Sequence, residues 1–253
     1  DTVPTGWEVI DDLIGTGLGP GELGVIISSA GGGKSWCLAH IGKEAMKRGK
    51  NILHYTLELN ECYVGLRYDS CFANIPFQEI VENIEKVRSV IGGITGNLLI
   101  KEYPTKSVGV STILAHANLA RTMGYGVDMI VVDYADILSP GNVGNNSNTY
   151  VEQGSIYEDL RGLAGELGVP VWTASQASRS SLDDNIIEAQ KVADSYRKIM
   201  TADFVMSLSR KAADKISSTG RFHVIKNRFG PDGMTFPSRV DTSSGLIEIY
   251  DEK

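Results

Sequence analysis

The sequence predicts an α/β fold: a mainly parallel, twisted sheet flanked by helices, with a C-terminal β-hairpin. Three observations predict it. Short runs rich in Val, Ile and Leu alternate with longer amphipathic stretches, which is the pattern of βαβ units. The first run passes through a glycine-rich loop into a stretch with helical spacing. Near the end, Gly230-Pro231-Asp232-Gly233 forms a turn ahead of two further short runs, as a hairpin would require.

The apolar runs cover residues 24–28, 52–57, 98–102, 129–133, 169–174, 204–208 and 222–226. They alternate little between apolar and polar, so they are expected to be parallel strands covered on both faces. Residues 34–48 place Cys37, Leu38, Ile41 and Ala45 at helical spacing, with Gly49 where a helix-ending glycine belongs. Residues 108–122 and 150–167 read as helices in the same way. Residues 139–149 are uncharged, poor in apolar groups and rich in turn formers, so a loop is expected. Residues 234–240 and 246–250 are expected to pair as the hairpin. There is no internal repeat and no clear linker, so residues 1–253 are expected to form one domain.

A chain of 253 residues, 42% apolar and 22% charged, can bury one sizeable core. Its 28 glycines follow no triplet period, which excludes a collagen-like chain. No apolar run nears the roughly 18 residues of a membrane span, so no membrane partner is expected. Cys37, Cys62 and Cys71 are odd in number and form no CxxC pair. A disulfide framework or zinc site is therefore not expected, and a reducing cytoplasm, bacterial or that of an infected host cell, fits. The opening Asp1-Thr2-Val3-Pro4 is no signal peptide and reads as a cut inside a longer chain, so a preceding domain is expected. The net charge is −7, yet residues 191–228 hold nine basic groups against three acids. That segment is +6, which points to one face built for an anion.

The sharpest signal is Ser28-Ser29-Ala30-Gly31-Gly32-Gly33-Lys34-Ser35, between an apolar strand and an amphipathic helix. That context is the one a phosphate-binding loop requires. Glycines let backbone N–H groups close around phosphate oxygens, and the helix N-terminus adds positive charge. Ser29, Ala30, Gly31, Gly32, Gly33, Lys34, Ser35 and Trp36 are the expected nucleotide-binding residues. Lys34 is placed to reach the β- and γ-phosphates and Ser35 to bind Mg²⁺. One position departs from G-x-x-x-x-G-K-[ST]: Ser28 stands where the first glycine is usual. Asp133 closes the apolar run 129–133 at a strand's carboxyl end, where an isolated charge is costly and Mg²⁺ is its natural partner. The expected cofactors are thus ATP or another NTP, with Mg²⁺.

An ordered series of segments then resembles a known family. Thr5-Gly6-Trp7 precedes the first strand. Thr56-Leu57-Glu58-Leu59-Asn60-Glu61 ends the second. Trp172-Thr173-Ala174-Ser175-Gln176-Ala177-Ser178-Arg179 forms a later strand and its exit. Lys226-Asn227-Arg228-Phe229-Gly230-Pro231 lies near the C-terminus. The series resembles the RecA-like motor domain of DnaB-like replicative DNA helicases, phage members included, and covers nearly the whole chain. The resemblance implies a RecA-like P-loop NTPase fold. It implies that Glu58, expected on a strand neighbouring the phosphate-loop strand, activates the attacking water. It implies that Gln176 senses the γ-phosphate. Lys226 and Arg228, two apart and so on one face of a strand, would reach into the neighbouring subunit's nucleotide.

The resemblance further implies a homo-hexameric ring that hydrolyses ATP at subunit interfaces and moves 5′→3′ on single-stranded DNA, with a primase and a helicase loader as further partners. Lys191, Arg197 and Lys198 are the expected DNA-phosphate contacts, although residues 193–198 depart from the family's usual loop. Tyr150 and Tyr196 are weaker candidates for stacking on bases. Two other readings share the phosphate loop: a RecA-like single-strand recombinase, and a regulatory RecA-like ATPase whose partners are proteins. The Lys226-x-Arg228 segment followed by Gly230-Pro231 weighs against the first. The basic segment and the uncharged loop weigh against the second.

Overall fold

The computed structural model describes residues 1–141, 149–191 and 196–251. Its elements run α1 (Glu8–Leu13), β1 (Leu23–Ser28), α2 (Lys34–Lys47), β2 (Ile52–Thr56), α3 (Glu61–Ala73), α4 (Ile84–Ile91), β3 (Leu98–Glu102), α5 (Val110–Thr122), β4 (Met129–Asp133), α6 (Thr149–Leu167), β5 (Val171–Gln176), α7 (Tyr196–Thr201), β6 (Phe204–Ser209), α8 (Ala212–Ser217), β7 (Thr219–Asn227), β8 (Thr235–Asp241) and β9 (Leu246–Ile249). The strands form one mixed sheet in the order β3-β2-β4-β5-β1-β6-β7-β8-β9.

The first six positions of that order are parallel. β1 lies between β5 and β6, so strand order reverses around it and its carboxyl end opens a crevice, where ligands of such sheets bind. Every residue of β1, β2, β4 and β6 is buried, as their unbroken apolar character requires. The pleat sends Leu23, Val25 and Ile27 into a core shared with α5 and α6. Ile26 enters the opposite core, shared with α1, α2 and α3.

Three sequence expectations are corrected here. The run 222–226 lies in β7, which is antiparallel to β6. The burial of β7 alternates along its length, unlike β1, β2, β4 and β6, because one face is left outside the core. The run 98–102, expected to be covered on both faces, is the edge strand β3 and has no fully buried residue. The strand holding the Glu58 segment does not neighbour β1: β4 and β5 stand between β2 and β1. The 234–240 and 246–250 pairing is present as antiparallel β8 and β9. Gly49 follows the end of α2 with φ +76, the left-handed conformation its glycine provides.

The Thr5-Gly6-Trp7 motif turns out to tie the chain's start to the sheet. The Asp11 carboxylate accepts from the Thr5 N–H at 2.7 Å, the Thr5 hydroxyl at 2.8 Å and the Gly6 N–H at 3.0 Å. The Trp7 indole N–H donates to the Ile247 carbonyl of β9 at 3.0 Å, and its ring stacks on His40 of α2.

Candidate functional site

Lys34, Ser35, Glu58, Asp133 and Gln176 gather at the carboxyl edge of the parallel strands with residues of the glycine-rich loop. In register, Ser28 lies beside Gln176 and Leu208, and Thr56 beside Asp133. The chain leaving β1 becomes the phosphate loop, with Gly33 at φ +113 immediately before α2. A side chain there would be strained whatever the space around it. Ser28 is accommodated because its hydroxyl donates to the Leu208 carbonyl of β6 at 2.9 Å. Gly32 makes room for it: a Cβ at Gly32 would collide with the Ser28 hydroxyl oxygen.

A cleft of about 250 Å³ opens over this loop, lined by Gly33, Lys34, Ser35, Glu58 and Arg67 among others. Lys34 is buried, and its ammonium lies 4.5 Å from the centre of the Tyr134 ring. Asp133 is 1% exposed. Burial raises its pKa, while the nearby Ser35 side chain and the charges of Lys34 and Arg67 act to lower it. Its Oδ1 is buried without a hydrogen-bond partner. An unpartnered carboxylate oxygen beside a serine hydroxyl fits a hydrated Mg²⁺ held mainly by phosphates. Among the described residues no cluster of three or more His, Cys, Asp or Glu side chains could hold a metal by itself.

Glu58 is exposed just past β2 and lines the cleft, even though two strands separate β2 from β1. It caps no helix: Asn60 does so, accepting from the Tyr63 N–H at 2.9 Å. Gln176 is half-buried at the end of β5, and its side-chain oxygen accepts from the Tyr134 hydroxyl at 3.4 Å.

Arg67 is the residue the sequence reading missed. It projects from α3 into the same cleft, 5.1 Å from the Trp36 ring centre. Burial opposes its charge, while Asp133 and Glu58 favour it, and its Nη1 is buried without a partner. The signal was present but faint: an arginine nine residues after Glu58, on a helix not expected from the sequence.

Comparison with known proteins decides the family. The DnaB-like helicase C terminal domain profile matches residues 2–237. The chain belongs to this family. It is 25% identical over 240 residues to the DnaB-like replicative helicase of Enterobacteria phage T4, covering 90% of this chain and 50% of that one. It is 28% identical over 185 residues to the replicative DNA helicase DnaB of Geobacillus stearothermophilus, covering 70% of this chain and 40% of that one. The chain therefore spans about half the length or less of these curated relatives. A DnaB-like replicative helicase solved to show its interactions with primase superposes with a TM-score of 0.84 at 20% identity, over 99% of this chain and 64% of that one. A separately solved ATPase domain superposes with the same TM-score of 0.84 at 20% identity, over 99% of this chain and 92% of that domain.

Within this DnaB-like domain, the remaining predicted residues are placed less simply. Lys198, expected as a DNA contact, is 2% exposed here, and its ammonium donates to Asp136 Oδ1 at 2.7 Å. A cation enclosed in that way is not presented to a phosphate backbone. Arg197 is exposed. Lys191 ends a 3-10 turn (Ala189–Lys191). The Lys191, Tyr150 and Tyr196 side chains lie outside the described residues, as do most of the loop 139–149 and residues 192–195. Lys226 donates to the carbonyls of Ile199, Met200 and Ala202 at 3.0, 2.6 and 2.7 Å. Arg228 lies just past β7 and pairs with Asp203 at 2.7 Å. The basic segment is thus no single anion-binding face. Arg210 donates to two backbone carbonyls and Arg221 pairs with Asp214.

Proposed function

We propose that this domain is the NTP-driven motor of a replicative DNA helicase, hydrolysing ATP with Mg²⁺ to move along single-stranded DNA. One observation carries the reading: Lys34, Ser35, Asp133, Glu58 and Arg67 share one environment at the carboxyl edge of the sheet, with Gln176 in register beside the phosphate loop.

The chemistry follows from that placement. Backbone N–H groups of the loop and the start of α2 cradle the β- and γ-phosphates. Lys34 and Arg67 stabilise the charge that spreads over the transferring phosphoryl group. Ser35 and Asp133 would hold Mg²⁺, which would supply positive charge against the charge that develops on the phosphates. Glu58 orients the attacking water and takes its proton. Gln176, able to donate and accept, reports the γ-phosphate. Arg228, freed from Asp203, completes the neighbouring subunit's site in a hexameric ring, because a planar guanidinium suits the in-line transition state. Lys226 is a weaker candidate for that reach, since three carbonyls hold it. The 5′→3′ direction, a primase partner and a loader rest on the family likeness, and Arg197 and Lys191 are the remaining basic candidates for the DNA track.

Steady-state ATP hydrolysis, with and without poly-dT, over a range of protein concentrations tests the reading. Stimulation by the strand, rising steeply with protein concentration, is expected. Hydrolysis indifferent to DNA in an assembly of confirmed size would reject it in favour of a regulatory ATPase.

A further inference from the structure

A polar cluster, with its lysine buried and its aspartate half-buried, lies directly behind Gln176. Asp136, in a 3-10 turn (Ala135–Ile137) just after β4, is its hub. Asp136 Oδ2 accepts from the Gln176 backbone N–H at 2.9 Å and from the Ser175 hydroxyl at 3.0 Å. Asp136 Oδ1 accepts from the Tyr157 hydroxyl at 2.8 Å and from the Lys198 ammonium at 2.7 Å. That ammonium also lies 5.5 Å from the Tyr157 ring centre.

Lys198 belongs to α7, a helix of six residues. A helix this short cannot hold itself in place by its own hydrogen bonds. Two lysines fix it. Lys198 ties its inner side to Asp136, and Lys226 of β7 gathers the carbonyls at its C-terminal end. On the other side of the cluster, the Gln176 side chain meets the Tyr134 hydroxyl, and the Tyr134 ring faces the Lys34 ammonium. An unbroken series of polar contacts therefore runs from the phosphate loop through Gln176 and Asp136 to α7 and on to β7, which ends beside Arg228.

A buried ion pair is a poor way to add stability, since taking both charges out of water offsets most of their attraction. An apolar side chain at residue 198 would pack α7 as well. What the pair adds is position: one carboxylate fixes the backbone of Gln176 and the ammonium of α7 at the same time.

We propose that Asp136 and Lys198 are positioning residues that couple the γ-phosphate side of the site to α7 and, through Lys226, to the arm carrying Arg228. The proposal rests on the reading of Gln176 as the residue facing the terminal phosphate.

The test is hydrogen exchange on the whole chain, free and with the non-hydrolysable analogue Mg·AMP-PNP. It compares wild type with Lys198→Met, Asp136→Asn and the double variant, in which neither charge is left buried alone. In wild type, nucleotide should slow exchange of the α7 amides by about tenfold or more. In the variants that response should fall below about twofold, while affinity for the analogue stays within about threefold. Lys198→Arg, keeping the charge, should restore part of the response. A response preserved in the double variant, or absent from wild type, overturns the proposal. So does a Lys198→Met variant whose poly-dT binding loses about one unit of salt slope, since Lys198 would then be a phosphate contact. Wild-type hydrolysis indifferent to poly-dT would reject the helicase reading alone, and the exchange comparison would still decide the coupling.

Discussion

Ser28 illustrates how single residues set the chemistry of this site. A serine where the phosphate-loop pattern has glycine brings a buried hydroxyl, and the Leu208 carbonyl satisfies it. The neighbouring glycines then do what glycine alone can do, Gly33 by its positive φ and Gly32 by yielding space. Lys34 stays buried beside Asp133 and Tyr134. Lys34→Ala should therefore lower kcat for ATP hydrolysis by about 100-fold or more, with little change in melting temperature, as measured by phosphate release and a thermal melt. Normal turnover in that variant would remove the phosphate loop from the mechanism. The glycine-rich loop and Lys34-Ser35 were legible in sequence because they are consecutive. Arg67 was not, because only the packing of α3 brings it into the cleft they line.

At the scale of elements, α2 and β2 each bury an imidazole. His40 stacks on Trp7, and His54 lies 2.9 Å from the Tyr68 hydroxyl. Burial, aided by nearby cations, pushes the pKa of both rings down to about 3 from 6.5. Between pH 6.5 and about 3 the unfolded chain protonates both rings while the folded chain keeps them neutral. The unfolded state thus binds more protons across that window, and acid destabilises the fold. Melting temperature should fall steadily as pH drops below 6.5. His54→Asn should flatten part of that slope, while a slope equal to wild type would mean that His54 titrates normally. The same scale explains the misread strand. Arg221-Phe222-His223-Val224 alternates polar and apolar, a local sign of a half-covered strand, whereas the strand's direction is set by which end the chain enters after α8, which no local pattern records.

For the molecule as a whole, the site is incomplete in one protomer if Arg228 serves a neighbour. Arg228 rests on Asp203, a carboxylate already bonded by Arg161 and the Leu23 N–H. Because that carboxylate keeps other donors, Arg228 can leave without stranding a buried charge. A mixture of Glu58→Ala and Arg228→Ala proteins, each inactive alone, should recover part of the wild-type hydrolysis, because some interfaces then pair an intact Glu58 with an intact Arg228. Turnover measured across mixing ratios checks this, and no recovery at any ratio would place Arg228 outside the neighbour's site.

The sequence by itself determined the α/β class, the parallel strands around β1, the glycine-rich loop between β1 and α2, the place of Asp133 at the end of β4, and the family. Each of these is written in consecutive residues or in a local apolar pattern, where steric rules and hydrogen-bond geometry act within a few positions. Tertiary structure alone decided the strand order that separates β2 from β1, the arrival of Arg67 in the cleft, and the fate of the basic segment. Lys198, Lys226, Arg210 and Arg221 look alike in sequence as free cations. Whether each meets solvent, a carboxylate or a backbone carbonyl depends on contacts made across the sheet and between helices, and for a charged side chain those long-range neighbours set both its cost and its use.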